Sequence, residues 1–201
     1  MVSLLVNCFD LLLRAWGNLL NLKLKKGGIV EKQSIEDSGN LAVVLIDMQK
    51  IFVKSLRYGE ANRIVAKQLV VLKHCVKAKI PVVVLELGSC FYGNTIEVLL
   101  EEAQKTPNFC VFEKCYNSGF YKTKLDLYLR SIGVENLLLM GINADYCVKS
   151  TAEHAIHLGY QIITSNEVIS GQDSHSRNNS IDWFKSNGNC IDNILEFSMS
   201  V

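Results

Sequence analysis

The sequence has little net charge, few aromatic residues and almost no proline. Among its 201 residues are two prolines, 8% aromatic side chains and 21 basic against 20 acidic side chains, a formal charge of +1. A balance this even argues against a dedicated nucleic-acid-binding protein, which needs a basic surface. The hydrophobic content of 49% excludes disorder over most of the chain. No collagen-like or coiled-coil repeat is present. These features predict a soluble globular domain with a sizeable core.

The cysteines lack the spacings of a metal site. The chain has seven of them, but no CxxC pair and no CxxC…HxxxH pattern, so a structural zinc site is not predicted. Seven is also an odd number for a disulfide framework, and no secretory signal is recognisable. We therefore expect reduced thiols in a cytoplasmic protein, most of them small core residues.

The first 40 residues differ in pattern from the remainder. Residues 4–24 are strongly apolar, yet polar side chains recur at steps of three or four residues: Asn7, Asp10, Arg14, Asn18 and Asn21. This stripe predicts an amphipathic helix and interrupts any membrane-spanning run. Such a helix would pack on its own domain or on a second subunit. The alternative is attachment to a membrane surface, which Lys23, Lys25 and Lys26 would favour.

Gly27-Gly28 ends this helix, and the polar residues that follow suggest a linker. We therefore divide the chain into residues 1–40, a helix and linker, and residues 41–201, a globular domain.

From residue 41 onward, aliphatic runs alternate with helical patterns. Strands are predicted at 41–46, 81–85, 109–112, 136–140 and 160–164, with a short one at 189–191; helices are predicted at 57–79, 94–105, 120–132, 145–158 and 175–187. Continuous apolar strands separated by helices indicate a parallel sheet covered on both faces, a three-layer α/β/α domain of the Rossmann-like kind. In such folds ligands bind at the carboxyl ends of the strands.

Three chemically complementary residues follow three of these strands. Asp47 follows the first strand, Lys114 the third, and Cys147 lies at the start of the helix after the fourth. A helix N-terminus and a nearby ammonium both favour a thiolate, and a carboxylate can take the thiol proton. Taken singly, they are typical of a helix cap, a surface lysine and a core thiol. Their convergence at one sheet edge favours an active site.

Other residues near the same strand ends are candidates for binding a substrate. They are Gln49, Phe52, Glu86, Asn117 and Tyr146. Glu86 could equally bond loop amides. Cys90 is a rival thiol, but no acid and base accompany it in the sequence. His154 and His157 lack a third metal ligand, so we expect packing or surface roles for both histidines.

Three motifs resemble the isochorismatase-like cysteine hydrolase family. They are LIDMQ (45–49), KCYNSGF (114–120) and GINADYCVKSTA (141–152), and the resemblance continues through HLGYQIIT (157–164) to cover roughly residues 41–170. It implies a six-stranded parallel sheet flanked by helices and an Asp-Lys-Cys triad at Asp47, Lys114 and Cys147. It also implies a cis peptide at Ile142–Asn143 and an oxyanion hole formed by the backbone N–H groups of Asn143 and Cys147.

The sequence departs from this family pattern at several positions. Nicotinamidases of the family carry an Asp-x-His…His metal site after the second strand, where this chain reads LELGSCFYGN (85–94) without histidine. The resemblance therefore implies no catalytic metal or other cofactor and argues against a nicotinamide substrate. Members that cleave the isochorismate ether lack the cysteine that is present here. The family also usually has alanine at Gly119 and a threonine near Ala144.

We therefore expect a metal-independent cysteine hydrolase that cleaves an amide or related C–N bond of a small molecule through a thioester. We also expect it to form a homo-oligomer. Two alternatives stay open: ether hydrolysis of the isochorismatase type, and a non-catalytic binding or scaffold protein on the same fold.

Overall fold

Seven parallel strands form the centre of the structure, a computed structural model that describes residues 40–171, 173–195 and 197. The strands are β1 Leu41–Ile46, β2 Val82–Leu87, β3 Cys110–Lys114, β4 Asn136–Ile142, β5 Gln161–Ser165, β6 Ile169–Ser170 and β7 Asn189–Ile191. The sheet order is β3-β2-β1-β4-β5-β7, and β6 pairs with β4 beside this path. The six predicted strands form the continuous order, which confirms the fold class, and the two-residue β6 is an addition.

Helices flank the sheet. They are α1 Lys50–Ser55, α2 Glu60–Ala78, α3 Ser89–Tyr92, α4 Glu97–Ala103, α5 Leu125–Ser131, α6 Lys149–His157 and α7 Ser174–Asn187, and a π-helical turn, Ala144–Val148, directly precedes α6. The helix predicted over 145–158 therefore begins with a wider turn. The short α1 and α3 were not predicted, because four to six residues are too few to show a helical period.

The sheet centre is fully apolar because both of its faces are covered. All six residues of β1 are buried, and this strand pairs in register with its two neighbours, Val43 lying opposite Val82 of β2 and Leu138 of β4. From β1 the chain builds outward to β2 and β3, whereas β4 starts the other half of the sheet. The strand order therefore reverses between β1 and β4, where α/β folds of this kind bind their ligands.

The predicted N-terminal amphipathic helix and its linker up to residue 39 lie outside the described residues, so the division of the chain near residue 40 stays a prediction. None of the helices in the described part of the chain combines the length and the apolar character that crossing a membrane requires.

Candidate active site

A buried ion pair joins the ends of β1 and β3. Lys114, the last residue of β3, donates from Nζ to Oδ2 of Asp47 at 2.8 Å, and the side chains are 0% and 3% exposed. The same ammonium donates to the Tyr116 carbonyl at 3.2 Å. Asp47 has a φ of 51°, a left-handed conformation that aspartate adopts more readily than most residues. The long lysine side chain reaches past β2, which separates the two strands.

Cys147 lies beside this pair. It belongs to the π turn that follows β4 and is only 5% exposed. Its thiol interacts with the Asp47 carboxylate, an interaction that lowers the pKa of the carboxyl group and raises the pKa of the thiol. Its Sγ also lies 4.0 Å from Oδ1 of Asn117. The structure thus brings together the three residues that the sequence predicted would converge.

The pKa of the Cys147 thiol differs in direction from our expectation. Burial raises this pKa to about 12, the negative charge of Asp47 raises it as well, and the ammonium of Lys114 only partly opposes them. Lys114 thus lowers the thiol pKa as expected, but the net shift is upward, because the thiol is more deeply buried than the sequence indicated. A shift in this direction favours the neutral thiol over the thiolate.

The Asp47 carboxylate has the complementary property. Burial raises its pKa above the ordinary value, and Lys114 pulls it back down. One oxygen, Oδ2, is held by Lys114, whereas the buried Oδ1 has no hydrogen-bond partner of ordinary geometry among the described residues. A carboxylate that is anchored through one oxygen and lies beside a thiol is well suited to accept the thiol proton.

The predicted oxyanion-hole residues lie on the same turn as Cys147. The peptide bond between Ile142 and Asn143 is cis. Asn143 immediately precedes the π turn, and its carbonyl accepts hydrogen bonds from the N–H groups of Tyr146 at 3.2 Å and Val148 at 3.1 Å. The stabilisation of an oxyanion by the Asn143 and Cys147 N–H groups stays a prediction.

Gln49 and Glu86 hold the segment between β2 and α4. Gln49 is fully buried, its amide nitrogen donates to the carbonyls of Leu87 at 3.1 Å and Gly93 at 2.5 Å, and its oxygen accepts the Leu87 N–H at 2.8 Å. Glu86, also buried, accepts the Thr95 N–H at 2.7 Å. These bonds explain the burial of both side chains without a ligand, and they give Glu86 the loop-bonding role that was the alternative to substrate contact.

The other three candidate substrate-contacting residues are more open. Asn117 is exposed next to the Cys147 thiol, and Tyr146 is 58% exposed. Phe52 is partly buried on α1, with its ring centroid 5.3 Å from that of Tyr92. These residues are free to contact a small molecule.

Among the described residues, the rival cysteine and the histidines have no metal-binding partners. Cys90 is exposed on α3. The Nδ1 atom of His154 lies 3.0 Å from Oγ of Ser118, and that of His157 lies 2.7 Å from the carbonyl oxygen of Glu153. Within the described ranges, no three His, Cys, Asp or Glu side chains are grouped as metal ligands would be.

Sequence reasoning missed Thr151, which connects two parts of the site. Its hydroxyl donates to the Cys147 carbonyl at 2.7 Å and accepts the Gly119 N–H at 3.0 Å, and the residue is fully buried. The only signal in the sequence is a threonine four residues after the cysteine in the motif CVKST. Nothing in that spacing reveals the second partner, which lies 32 residues away.

The structure also explains why residue 119 is glycine where the family usually has alanine. A β-carbon on Gly119 would lie 2.3 Å from Cδ1 of Leu85 and 3.4 Å from Cγ2 of Thr151. The Leu85 side chain therefore occupies the space that an alanine methyl group would need.

Comparison with known proteins identifies relatives of this domain. The family model for the isochorismatase domain matches residues 41–192. A ureidoacrylate amidohydrolase, RutB of Agrobacterium fabrum, is 37% identical over 62 residues, which make up 31% of this chain and 27% of the relative. The chain thus matches about a quarter to a third of the length of the curated relatives with which it aligns.

Solved structures share the fold at low sequence identity. A cysteine hydrolase from Pseudomonas syringae pv. phaseolicola superposes with a TM-score of 0.69 at 17% identity, covering 87% of this chain and 98% of that one. The MAR1 ribonuclease from Caenorhabditis elegans superposes with a TM-score of 0.72 at 20% identity, covering 81% of both chains. The different activities of these two proteins mean that the fold alone does not identify the reaction.

Proposed function

Because the chain belongs to the isochorismatase domain family, we propose that it is a cysteine hydrolase that cleaves an amide or related C–N bond of a small molecule. The observation that carries this proposal is the buried Asp47–Lys114 ion pair directly beside the Cys147 thiol. Burying two charges is costly unless they are paired, so a purely structural position would be expected to hold apolar residues.

Covalent catalysis would start from the neutral thiol. As Sγ of Cys147 forms a bond to the carbonyl carbon, the thiol proton passes to Oδ1 of Asp47 and the carbonyl electron pair moves onto oxygen. The N–H groups of Asn143 and Cys147 would stabilise the resulting oxyanion. Collapse of this tetrahedral species breaks the C–N bond, and the proton on Asp47 leaves with the amine.

Hydrolysis of the thioester completes the cycle. The water oxygen attacks the thioester carbon while Asp47 takes a proton from this water. The C–S bond then breaks to release the acid, and the proton on Asp47 passes to the sulfur, which restores the thiol and the carboxylate. Lys114 supports both steps because its charge favours the ionised form of Asp47, which burial opposes. It stays bound to Oδ2 and leaves Oδ1 available.

Substrate contacts are proposed for Asn117, which lies 4.0 Å from the Cys147 thiol, and for the accessible Phe52 and Tyr146. Gln49 and Glu86 instead hold the segment between β2 and α4 in place. The similarity to a ureidoacrylate amidohydrolase supports a ureido or amide group as the substrate class. We propose that the reaction is metal-independent, because segment 85–94 lacks the histidines that hold the metal in nicotinamidases of the family. Assembly into a homo-oligomer stays a prediction.

A test is hydrolysis of a panel that contains ureidoacrylate, other N-carbamoyl compounds and simple primary amides, followed by ammonia release. We expect the wild-type protein to hydrolyse at least one compound. Cys147→Ser and Cys147→Ala should lower kcat by about a thousandfold or more, because the nucleophile is lost. Cys90→Ala is the matched control and should keep full activity, since this cysteine lies outside the triad.

Two further measurements separate the alternatives. Rapid acid quenching followed by intact-protein mass spectrometry should show an acyl adduct on the wild-type protein, and dialysis against EDTA should leave the rate unchanged. Cleavage of an ether without an adduct would instead favour an isochorismatase-type reaction. A folded protein that hydrolyses no compound of the panel and forms no acyl adduct on Cys147 would favour a binding or scaffold role.

A further inference from the structure

Thr151 joins the two segments that carry the reactive groups. Cys147 lies on the π turn, and Lys114 opens the segment 114–120, which also presents Asn117 to the thiol. The Thr151 hydroxyl binds both segments: it donates to the Cys147 carbonyl at 2.7 Å and accepts from the Gly119 N–H at 3.0 Å.

The first of these bonds is common in helices, whereas the second is not. A threonine hydroxyl often donates to the carbonyl four residues earlier in a helix. Here the same oxygen also receives an N–H from a segment outside the helix, and both Gly119 and Thr151 are buried. Water cannot replace either bond without entering the core, so this buried hydroxyl holds the segment beside Cys147, while Ser118 and His154 make a more exposed contact farther along α6.

Packing around Gly119 strengthens this connection. The absence of a side chain lets residue 119 lie against Leu85, Leu125 and the methyl group of Thr151. The segment 114–120 is therefore fixed by apolar contacts on one side and by the hydroxyl on the other. A displacement of this segment would move the backbone that follows Lys114, and with it the ammonium that holds Asp47.

From this geometry we propose that Thr151 is a positioning residue, which holds the Cys147 thiol against the Asp47 carboxylate. The inference rests on the proposed function, since that contact is the one that would transfer the thiol proton. Serine could make both hydrogen bonds, whereas valine has the same shape as threonine but can make neither.

The test measures how strongly Asp47 acts on Cys147, with and without the Thr151 hydroxyl. The probe is iodoacetamide at pH 8, and the alkylation rate of Cys147 is followed by peptide mass spectrometry. Asp47→Asn removes a negative charge that raises the thiol pKa, so it should increase the alkylation rate by about tenfold in the otherwise wild-type protein. We expect this factor to fall to about twofold or less in the Thr151→Val background.

Two backgrounds serve as controls. Thr151→Ser should keep the tenfold effect of Asp47→Asn, because its hydroxyl can make the same two bonds. Thr164→Val should keep it as well: Thr164 is equally buried on β5, and its hydroxyl donates at 2.8 Å to the carbonyl of Leu139 on β4. Urea unfolding of each background shows whether it is folded under the conditions of alkylation.

Each outcome decides the question. An unchanged effect of Asp47→Asn in folded Thr151→Val protein would overturn the positioning role. If Thr151→Val does not fold, Thr151→Ala replaces it, and failure of both while Thr164→Val folds would assign the threonine a structural role only. If Asp47→Asn has no effect even with Thr151 present, the contact between Asp47 and Cys147 is absent, and the proposed function fails together with this inference.

Discussion

Asp47, buried in an ion pair with Lys114, lowers the stability of the fold at neutral pH through its raised pKa. Although Lys114 lies 2.8 Å away, the pKa of Asp47 remains above its ordinary value of 3.8 because burial outweighs the attraction. The folded protein therefore binds a proton at Asp47 more tightly than the unfolded chain does. This residue by itself makes the fold less stable as the pH rises from about 4 through its folded-state pKa. A buried carboxylate that lowers the stability of the fold in this way is typical of a functional site, where activity is retained at the expense of stability.

Replacing Lys114 by methionine tests this balance. The change leaves Asp47 buried without its cation, so the free energy of unfolding at pH 7 should fall by about 3 kcal/mol or more. It also removes the charge that lowers the pKa of Cys147, so iodoacetamide should alkylate this thiol more slowly at pH 8. Urea unfolding and the alkylation rate are the measurements.

The matched control for this change is Lys105→Met, which removes a lysine paired with Glu102 at 2.7 Å whose side chain is 57% exposed. It should change the free energy of unfolding by less than about 1 kcal/mol. Alkylation of Cys147 at the wild-type rate in Lys114→Met would show that Lys114 does not act on the thiol.

The identities of the three reactive residues were easier to predict than their environment. Each of them follows a strand, and parallel strands place their carboxyl ends at one edge, so Asp47, Lys114 and Cys147 could be grouped before the structure was known. The pKa of the thiol could not be predicted, because it depends on burial by segments that are distant in sequence. The bonding of Gln49 to Leu87 and Gly93 was hidden for the same reason.

Among the elements, long periodic segments were predictable and short ones were not. β1 spans the residues that were predicted, and α2 falls within the predicted helix, because continuous aliphatic runs and an extended amphipathic pattern are strong signals. β6 has two residues and pairs only with the end of β4. A strand this short forms because tertiary contacts hold it, and two residues cannot show a hydrophobic pattern from which it could be predicted.

One carboxylate ties β6 to two helices. Oε1 of Glu60, at the start of α2, accepts hydrogen bonds from Ser170 of β6 at 2.6 Å, Arg63 at 2.7 Å and Arg177 of α7 at 2.9 Å. The hydrogen bond from Arg63 is the main reason why the pKa of Glu60 is lowered to about 2, with Ser170 and Arg177 contributing. We infer that this carboxylate stabilises the packing of β6 against α2 and α7.

The lowered pKa makes this contribution dependent on pH. A carboxyl group that titrates near 4.5 in the unfolded chain and near 2 in the folded one stabilises the fold fully above pH 4.5 and loses its effect as the pH falls to about 2. Because the side chain is 20% exposed, we discount the full shift and expect Glu60→Gln to cost about 1–2 kcal/mol at pH 7. Urea unfolding at pH 7, 4 and 2.5 should show this difference shrinking.

Glu102→Gln is the control, because the side chain of Glu102 pairs with the exposed Lys105. It should cost less than about 0.5 kcal/mol at every pH. A Glu60→Gln difference that is the same at pH 7 and pH 2.5 would show that the hydrogen-bonded shape of the side chain matters and its charge does not.

At the scale of the whole molecule, the described residues enclose a core of their own. The buried apolar cluster begins at Leu41 and extends to Phe197, and it contains the full length of β1. This strand is central, since it pairs with both β2 and β4. The residues from Ile35 to Val201 form one compact unit by their internal contacts. A unit of this size buries enough surface to fold without further support.

We therefore expect a fragment of residues 35–201 to fold by itself. Its free energy of unfolding in urea should lie within about 1 kcal/mol of the full-length value, because the core and the sheet are intact. Iodoacetamide should alkylate Cys147 in the fragment at the full-length rate, since all three triad residues are present.

A fragment of residues 44–201 is the control. It lacks half of β1, which exposes the apolar edges of β2 and β4, and it should not fold cooperatively. Aggregation of the 35–201 fragment, or unfolding at a much lower urea concentration than the full chain, would show that the first 34 residues are part of the folding unit, contrary to the division of the chain predicted from its sequence.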